Sequence, residues 1–548
     1  MNPTTLEVLT LELFEMVLQY LELDDLQQLR LVSRETCLRT TRDRFLSFTA
    51  RQRVELTPTD LKHFALMTSQ GCRVGCSVRH STLVGVLYDS WILEEVLGTD
   101  PSKPLPKGGY FQQGSTPRPE AQIIEARKHL DELYQSSKDL ETFRKAGNDL
   151  TLLFRILRNI ASEPRHKLDT LSLDVEVYNG AGVVDENFDW SGRSGWSRWS
   201  PARYSERCRD QIFLTAAKTF KVISLALRDA EPYIHHLEAF KEQCGPNPCE
   251  LPYDTFSQMG WTAVEHSWST FKTLKTLSLG VSDRALSSDI EAFESTSGND
   301  AALWEAILLR EAETDARHIS SLVQLADLCP QLENLHILWY RLLPDTSVVR
   351  PARYSVTSFG PSASMWHRTI GEPQWRARQQ YMHQLALAPL FKCLRTFHLG
   401  GLSLQPKDLL LFVQRHQPGL REIDLDNVQD VDSTFTSLFS WLACPDSVIQ
   451  SIRLKDLQEN FAAVYFGIEQ RSEFTRLSGD QLGNNIIERF GEDVKKQIGY
   501  STRGSRPGSW HATRRRLFNF GSVAAGMAHP DLAMVEEMPG RSVDCTLR

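Results

Sequence analysis

Leu420-Arg421-Glu422-Ile423-Asp424-Leu425 places apolar residues at the first, fourth and sixth positions of a short motif. The same motif, L-x-x-L-x-L with Phe, Ile or Val allowed, returns 29 residues later at Ile449. The chain of 548 residues contains seven copies, which chance does not explain. They are Leu168/Leu171/Leu173, Phe220/Ile223/Leu225, Leu274/Leu277/Leu279, Leu332/Leu335/Ile337, Leu394/Phe397/Leu399, Leu420/Ile423/Leu425 and Ile449/Ile452/Leu454. The motif therefore sets the fold of the region that contains it.

Most copies follow an apolar run with helical spacing, which predicts units of one short strand and one helix that returns along its outside. Neither element buries its apolar face until the next unit stacks on it. The pattern resembles the leucine-rich repeat. The last three copies start 26 and 29 residues apart, as in that family, but the earlier ones are 52 to 62 residues apart. The resemblance implies an irregular solenoid with long insertions; the alternative is an α/β fold of buried strands and ordinary crossover helices.

Three short amphipathic helix patterns occupy the stretch from Leu9 to Phe48. Their apolar positions are, in order, Phe14, Val17, Leu18 and Leu21; Leu26, Leu29 and Val32; and Cys37, Leu38, Thr41, Phe45 and Phe48. Asp25 is predicted to cap the second helix, with Gln28 in the capping-box position, and Ser33 to cap the third. Helices this short bury too little to be stable alone, so their remaining apolar surface should dock on something.

Residues 9–36 read LTLELFEMVLQYLELDDLQQLRLVSRET and resemble the F-box, the motif by which substrate receptors of SCF-type ubiquitin ligases hold a Skp-type adaptor. Two features depart from the family: Thr10 stands where it usually has Pro, and the Trp often found in its third helix is missing. The resemblance implies adaptor contacts at Leu9, Leu13, Val17, Leu21, Leu26, Leu29, Val32 and Ser33. The alternative is a generic helical cap at the start of the repeats.

Together the two resemblances imply an F-box/leucine-rich-repeat receptor, similar in particular to the divergent fungal ones, of α/β class. Residues 459–500 are predicted to be a helical cap through Ile486, Ile487, Phe490 and Val494. The predicted domains are an F-box at 1–50, a linker and cap at 51–160 with a Pro/Gly-rich loop at 98–119, a solenoid at 161–458, the C-terminal cap at 459–500 and a disordered tail at 501–548.

Two predicted insertions, at 185–204 and 344–380, are rich in Trp and Arg, the residue types that anchor protein interfaces. The candidate contacts to a protein target are Trp196, Trp199, Arg353, Trp366, Trp375 and Arg376. The alternative is that the tryptophans pack against the flank of the solenoid.

The composition is that of an ordinary soluble globular protein, with 41% apolar and 24% charged residues. A net charge of −8 argues against nucleic acid as the main partner. No stretch is long and apolar enough for a membrane span, so we expect an intracellular protein of the cytoplasm, the nucleus or both. The ten cysteines are sparse, as expected for reduced thiols.

The sequence has no phosphate-binding glycine loop, nucleophile elbow or metalloprotease helix. Cys72 and Cys76, and Cys244 and Cys249, lack the spacing of a zinc site. We therefore expect no enzyme activity, cofactor or metal. Two function classes stay open: a substrate receptor that binds a Skp-type adaptor, a cullin-RING ligase and an unknown protein target, or an interaction scaffold that acts independently of ubiquitin.

Overall fold

The computed structural model of the chain describes residues 9–40, 46, 48–69, 77–90, 93–94, 97, 120–162, 168–178, 206–241, 250–257, 269–282, 319–324, 328–340, 372–430, 433–459, 462–466 and 485–504. The predicted loop at 98–119 lies outside these ranges. The fold is mixed α/β, with helices packed on a large, mostly parallel sheet. The helices are α1 Leu11–Leu18, α2 Leu23–Val32, α3 Arg34–Thr40, α4 Pro58–Met67, α5 Glu120–Lys145, α6 Asn148–Ser162, α7 Glu206–Ala230, α8 Ser269–Lys272, α9 Glu372–Leu387, α10 Pro406–His416 and α11 Thr436–Leu442.

The strands are β1 Arg51–Glu55, β2 His80–Tyr88, β3 Leu168–Tyr178, β4 Ile234–Ala239, β5 Leu251–Pro252, β6 Thr276–Ser282, β7 Asn334–Tyr340, β8 Thr396–Gly400, β9 Ser403–Leu404, β10 Glu422–Asp426, β11 Gln429–Asp430, β12 Ser451–Lys455, β13 Gln458–Glu459, β14 Ala462–Phe466, β15 Ile486–Phe490 and β16 Tyr500–Gly504. The main sheet has the order β1-β2-β3-β4-β6-β7-β8-β10-β12-β15, and β5 pairs with β6. Neighbouring strands are parallel from β1 to β12, whereas β15 pairs with β12 in the antiparallel direction. Because this order follows the chain, each new strand extends the same edge of the sheet.

Two ladders of stacked apolar side chains run through the middle of this sheet, because the strands pair in matching register. The first ladder is Leu171, Leu237, Leu277, Leu335, Phe397, Ile423 and Ile452. The second is Leu173, Ala239, Leu279, Ile337, Leu399, Leu425 and Leu454. None of these residues is more than 2% exposed. Full burial of one such leucine or isoleucine contributes about 1.5–3 kcal/mol, so the ladders are a large part of the core.

Helices on the sheet also pack beside one another. Helix α4 contacts α6, α6 contacts α7, α9 contacts α10, and α10 contacts α11. Helix α6 buries one stripe of side chains with helical spacing: Leu153, Ile156, Leu157 and Ile160. The ring of Phe412 on α10 lies 4.5 Å from that of Phe397 on β8, which joins the helices to the first ladder.

Four main strands are followed at once by a residue with positive φ: Phe240 (56°), Gly401 (69°), Asn427 (53°) and Asp456 (50°). Gly, Asn and Asp tolerate this left-handed conformation best. At Gly401 a Cβ atom would also overlap the backbone carbonyl of Trp339, so only glycine fits. After the last three of these corners the two-residue strands β9, β11 and β13 form a second, smaller sheet of order β16-β14-β13-β11-β9.

Six of the seven motif copies are confirmed as strands, namely β3, β6, β7, β8, β10 and β12. The prediction of a strand at Phe220/Ile223/Leu225 is wrong, because these residues lie within helix α7. The spacing of Phe220 and Ile223 fits a helix face equally well, and both are fully buried there. Strand β4, with Ala239 in the place of the last motif leucine, occupies this position in the sheet.

Before the first motif, residues 80–88 form strand β2 and residues 58–67 form helix α4. Residues 120–162 contain two helices, α5 and α6, separated at Gly147, whose φ is 66°. Strand β1 was not predicted.

The predicted helical cap at 459–500 is wrong. Ile486, Ile487 and Phe490 lie on strand β15, and Val494 lies in the short 3-10 helix Gly491–Lys495. Along β15 Glu488 and Phe490 are exposed and Arg489 between them is partly buried, an alternation that fits an edge strand better than a helix. The predicted disordered tail began at 501, but residues 500–504 form β16 on the second sheet. Residues 505–548 lie outside the described ranges.

Candidate functional site

Helices α1, α2 and α3 are called the three-helix unit below, and side-chain caps hold the starts of α2 and α3. The predicted cap of α2 at Asp25 is wrong: the helix begins at Leu23, and Glu22 is its N-cap. The backbone N–H of Glu22 donates to the Asp25 carboxylate at 3.2 Å, and the Glu22 side chain completes a capping box. The predicted cap of α3 is confirmed, since Ser33 Oγ accepts from the Thr36 N–H at 3.1 Å. The Ser33 N–H donates to Thr36 Oγ1 at 3.0 Å in return.

The three-helix unit has a small core of its own. Phe14, Leu18 and Leu26 are fully buried and form a cluster separate from the main core. The residues packed around them in part are Leu9, Leu21, Leu29, Leu46 and Phe48. The guanidinium of Arg39 donates to the Leu9 carbonyl at 2.8 Å and so ties α3 to the start of α1.

Large apolar side chains remain exposed around that core. They are Leu13 (50%), Met16 (56%), Val17 (37%), Tyr20 (86%), Leu31 (81%), Val32 (70%) and Leu38 (60%), and we call them the N-terminal apolar surface. Four of them, from Leu13 to Tyr20, have the i, i+3, i+4, i+7 spacing of a single helix stripe. Helix α1 therefore carries two apolar faces, one packed inside the unit and one open. An exposed apolar patch on a protein surface marks a contact site for another protein or a membrane.

Some of the predicted adaptor contacts belong to the exposed N-terminal apolar surface, and the others are buried or partly buried in the three-helix unit. Leu13, Val17 and Val32 belong to the N-terminal apolar surface. Leu26 is 0% exposed and packs inside the unit, so it is not a contact for another molecule in this conformation. The remaining predicted contacts, all partly buried, are Leu9, Leu21, Leu29 and Ser33. Sequence reasoning missed Met16, Tyr20, Leu31 and Leu38, although the second stripe on α1 is visible in the sequence.

A second candidate site is a row of polar side chains at the positions between the two apolar ladders. The strands bring it together in register as Ser172, Glu238, Ser278, His336, His398, Asp424, Arg453 and Glu488. We call it the polar row. Its members contact one another: Ser278 Oγ lies 3.1 Å from His336 Nδ1, the two histidine rings are 5.6 Å apart, and Arg453 is 3.4 Å from Asp424. It was missed because the intervening positions of the motif carry no periodic signal.

The two histidines of the polar row are neutral at neutral pH. Burial, with a smaller effect from the neighbouring His398, lowers the pKa of His336 to about 4. Burial also lowers the pKa of His398, although Asp424, 3.8 Å from its Nε2, acts in the opposite direction. Each neutral imidazole has one donor and one acceptor nitrogen, and ion pairs flank the two rings. The polar row can therefore form hydrogen bonds with a polar or extended polypeptide segment.

The contact between Ser278 and His336 does not make a nucleophile. Ser278 is 2% exposed, which leaves no path for a substrate to reach its hydroxyl. The described ranges contain no group of three His, Cys, Asp or Glu side chains that would hold a metal ion. None of the helices within these ranges has the length and apolar character needed to cross a membrane.

The predicted target contacts fall largely outside the described residues. Trp196, Trp199, Arg353 and Trp366 lie outside them. Trp375 and Arg376 are in the first half of helix α9, so the predicted insertion at 344–380 ends in a helix that starts at 372. Comparison of the chain with protein-family models and with curated proteins finds no match.

Proposed function

We propose that the chain is the substrate-recognition subunit of an SCF-type ubiquitin ligase. The three-helix unit holds a Skp-type adaptor, which connects the chain to a cullin-RING ligase, and the repeat region holds a protein target. The observation that carries the proposal is the N-terminal apolar surface. Three short helices with the F-box-like sequence present large apolar side chains that lie outside their own core.

The strand-by-strand stack supports the second half of the proposal. Strands that follow the chain order, with matching apolar ladders and side-by-side helices, are what an irregular leucine-rich-repeat solenoid requires. Consensus positions of such a stack are used for packing, so target recognition depends on the positions between them and on insertions. The polar row and the Trp- and Arg-rich segments are the parts of the chain that we propose contact the target.

A pair of substitutions on the N-terminal apolar surface tests the adaptor contact. Val17→Asp with Val32→Asp places two carboxylates where an apolar partner would dock, at a cost of several kcal/mol of binding free energy. Co-purification of a co-expressed Skp-type adaptor should fall below detection. Leu66→Asp is the matched control, because Leu66 on α4 is 65% exposed and lies outside the three-helix unit; it should retain the adaptor.

Helix content by circular dichroism should be the same in the double variant and the wild type, since both valines are exposed. Leu26→Asp is the contrasting variant, expected to lose the adaptor and the folded three-helix unit together. Failure of the wild-type chain to bind a Skp-type adaptor would refute the receptor function and favour the ubiquitin-independent scaffold.

A further inference from the structure

A cavity of about 290 Å³ lies where the end of α5 and the start of α6 meet α7. One part of its lining is apolar and includes Leu56, Leu150 and Val222. The other part is basic and consists of Arg144, Lys218 and Lys221. A volume of this size suits a small organic molecule and is too small for a folded segment of a partner protein.

The three cations of this cavity have no ion-pair partner among the described residues. The guanidinium of Arg144 makes one long hydrogen bond, 3.4 Å, to the backbone carbonyl of Val86. Asp149 also lines the cavity; its carboxylate accepts from the N–H of Leu150 at 2.8 Å, and its charge offsets part of that of Arg144. Glu141 is not part of the lining; it is paired with Lys145 at 2.8 Å and acts on Lys218 through its charge alone. The cavity thus holds more positive than negative charge.

This arrangement is electrostatically unfavourable while the cavity holds no anion. Burial lowers the pKa of Arg144, and burial together with the charge of Arg144 lowers the pKa of Lys218. Both shifts mean that the surroundings disfavour the charged forms. The first turn of α6 adds the positive end of its helix dipole at the same place. An anion between the two cations would stabilise the charged forms of both side chains.

We propose that this cavity binds a small organic anion whose charged group lies between Arg144 and Lys218 and whose apolar body lies on Leu56, Leu150 and Val222. Aryl or alkyl phosphates and carboxylates have this chemistry. The inference is independent of the proposed ubiquitin-ligase function, because it depends on neither the three-helix unit nor the polar row.

Calorimetric titration of the full-length chain with phenyl phosphate, inorganic phosphate and benzyl alcohol tests both halves of the proposal. Phenyl phosphate should bind at least about tenfold more tightly than either of the other two, because it alone has both the charge and the apolar body. Arg144→Met should weaken phenyl phosphate binding roughly tenfold or more, as expected for the loss of one charge-assisted contact. Lys218→Met should have an effect in the same direction.

Lys145→Met is the matched control on the same helix, because that lysine is exposed and already paired with Glu141; it should bind like the wild type. Arg144→Met should melt at the same or a higher temperature, since it removes a buried charge without an ion-pair partner, whereas a structural arginine would lower the melting temperature. The proposal is overturned if phenyl phosphate does not bind at millimolar concentration. Equal affinities of Arg144→Met, Lys218→Met and the wild type would overturn it as well.

Discussion

The three-helix unit and the sheet stack, the body formed by β1 to β16 with its helices, bury apolar residues to different extents. In the unit, Phe14, Leu18 and Leu26 are fully buried, while a stripe of α1 and the end of α2 expose side chains such as Tyr20 and Val32. In the stack, the ladder residues of every central strand are at most 2% exposed. We expect a region that leaves this much apolar surface open to gain stability from a partner, whereas the ladders of the stack are already covered by their own strands and helices.

The largest effect should come from the ladders. Leu277→Ala and Leu335→Ala each remove a fully buried leucine at paired positions of β6 and β7. Each should lower the free energy of unfolding of the stack by about 2–5 kcal/mol, because a cavity remains in the core. Chemical denaturation followed by circular dichroism measures this.

Leu390→Ala is the control for the ladder variants, since Leu390 is 50% exposed; it should change the stability by less than about 0.5 kcal/mol. Equal stability of both ladder variants and the wild type would mean that the stack is not held together by its ladders.

Acidification should cause a smaller loss of stability, and this loss should be confined to the stack. Because the pKa of His336 is about 4 in the folded chain and about 6.5 when unfolded, the unfolded state binds the proton first as the pH falls. Stability is therefore intact above pH 6.5 and decreases from there towards pH 4, by about 2 kcal/mol for this partly exposed group. Residues 1–50 contain no histidine, so the three-helix unit should not share this loss.

Unfolding free energies measured between pH 7 and pH 5 would show the effect, and His336→Gln should make the decrease less steep, with the part due to His398 remaining. A variant whose stability decreases as steeply as that of the wild type would assign the pH dependence to other groups.

The smallest expected effect is the loss of stability on removing one helix cap, which can be compared between the two regions. Ser33 caps α3 in the three-helix unit, and Thr57 caps α4 in the stack by accepting from the Asp60 N–H at 3.3 Å. Ser33→Ala and Thr57→Ala should each cost about 1 kcal/mol of local stability. Amide hydrogen exchange should show faster opening of all three helices for Ser33→Ala but only a local change at α4 for Thr57→Ala, because the small unit has little other stabilisation. A local effect in both variants would contradict the contrast between the regions.

Spacing of apolar residues was enough to predict most of the central strands, because a parallel strand buried in a stack needs an apolar residue at every second position. The spacing gave the wrong element where the same apolar positions fit both a helix and a strand. Phe220 and Ile223 are also one helix turn apart, and Ile486, Ile487 and Phe490 satisfy a helix pattern although they lie on β15. The second segment forms a strand because it pairs with another strand at the edge of the sheet. That contact joins residues that are distant in the sequence.

The residues of the candidate site could also be predicted only in part, because the sequence does not show which side chains the fold brings together. The F-box resemblance implied contacts at Val17 and Val32, which are exposed, but also at Leu26, which is buried, since a sequence motif does not separate the inward from the outward side. His336 and His398 are 62 residues apart in the chain and come together only through the register of β7 and β8. Both stand between the last two apolar residues of their motif copies, but this position is polar and variable among the copies, so the apolar pattern alone did not single them out.

Strand β15 has a consequence for self-assembly. A stack of parallel strands with uniform apolar ladders would accept a further strand at its open edge, from the same chain or from another molecule, and so grow into filaments. Here the first ladder passes from Ile452 to Arg489, whose guanidinium donates to the backbone carbonyls of Lys496 and Gln497. The reversed strand therefore ends the first ladder on a charged side chain, although the second ladder continues from Leu454 to Ile487, and this charge disfavours the addition of a further strand at the edge.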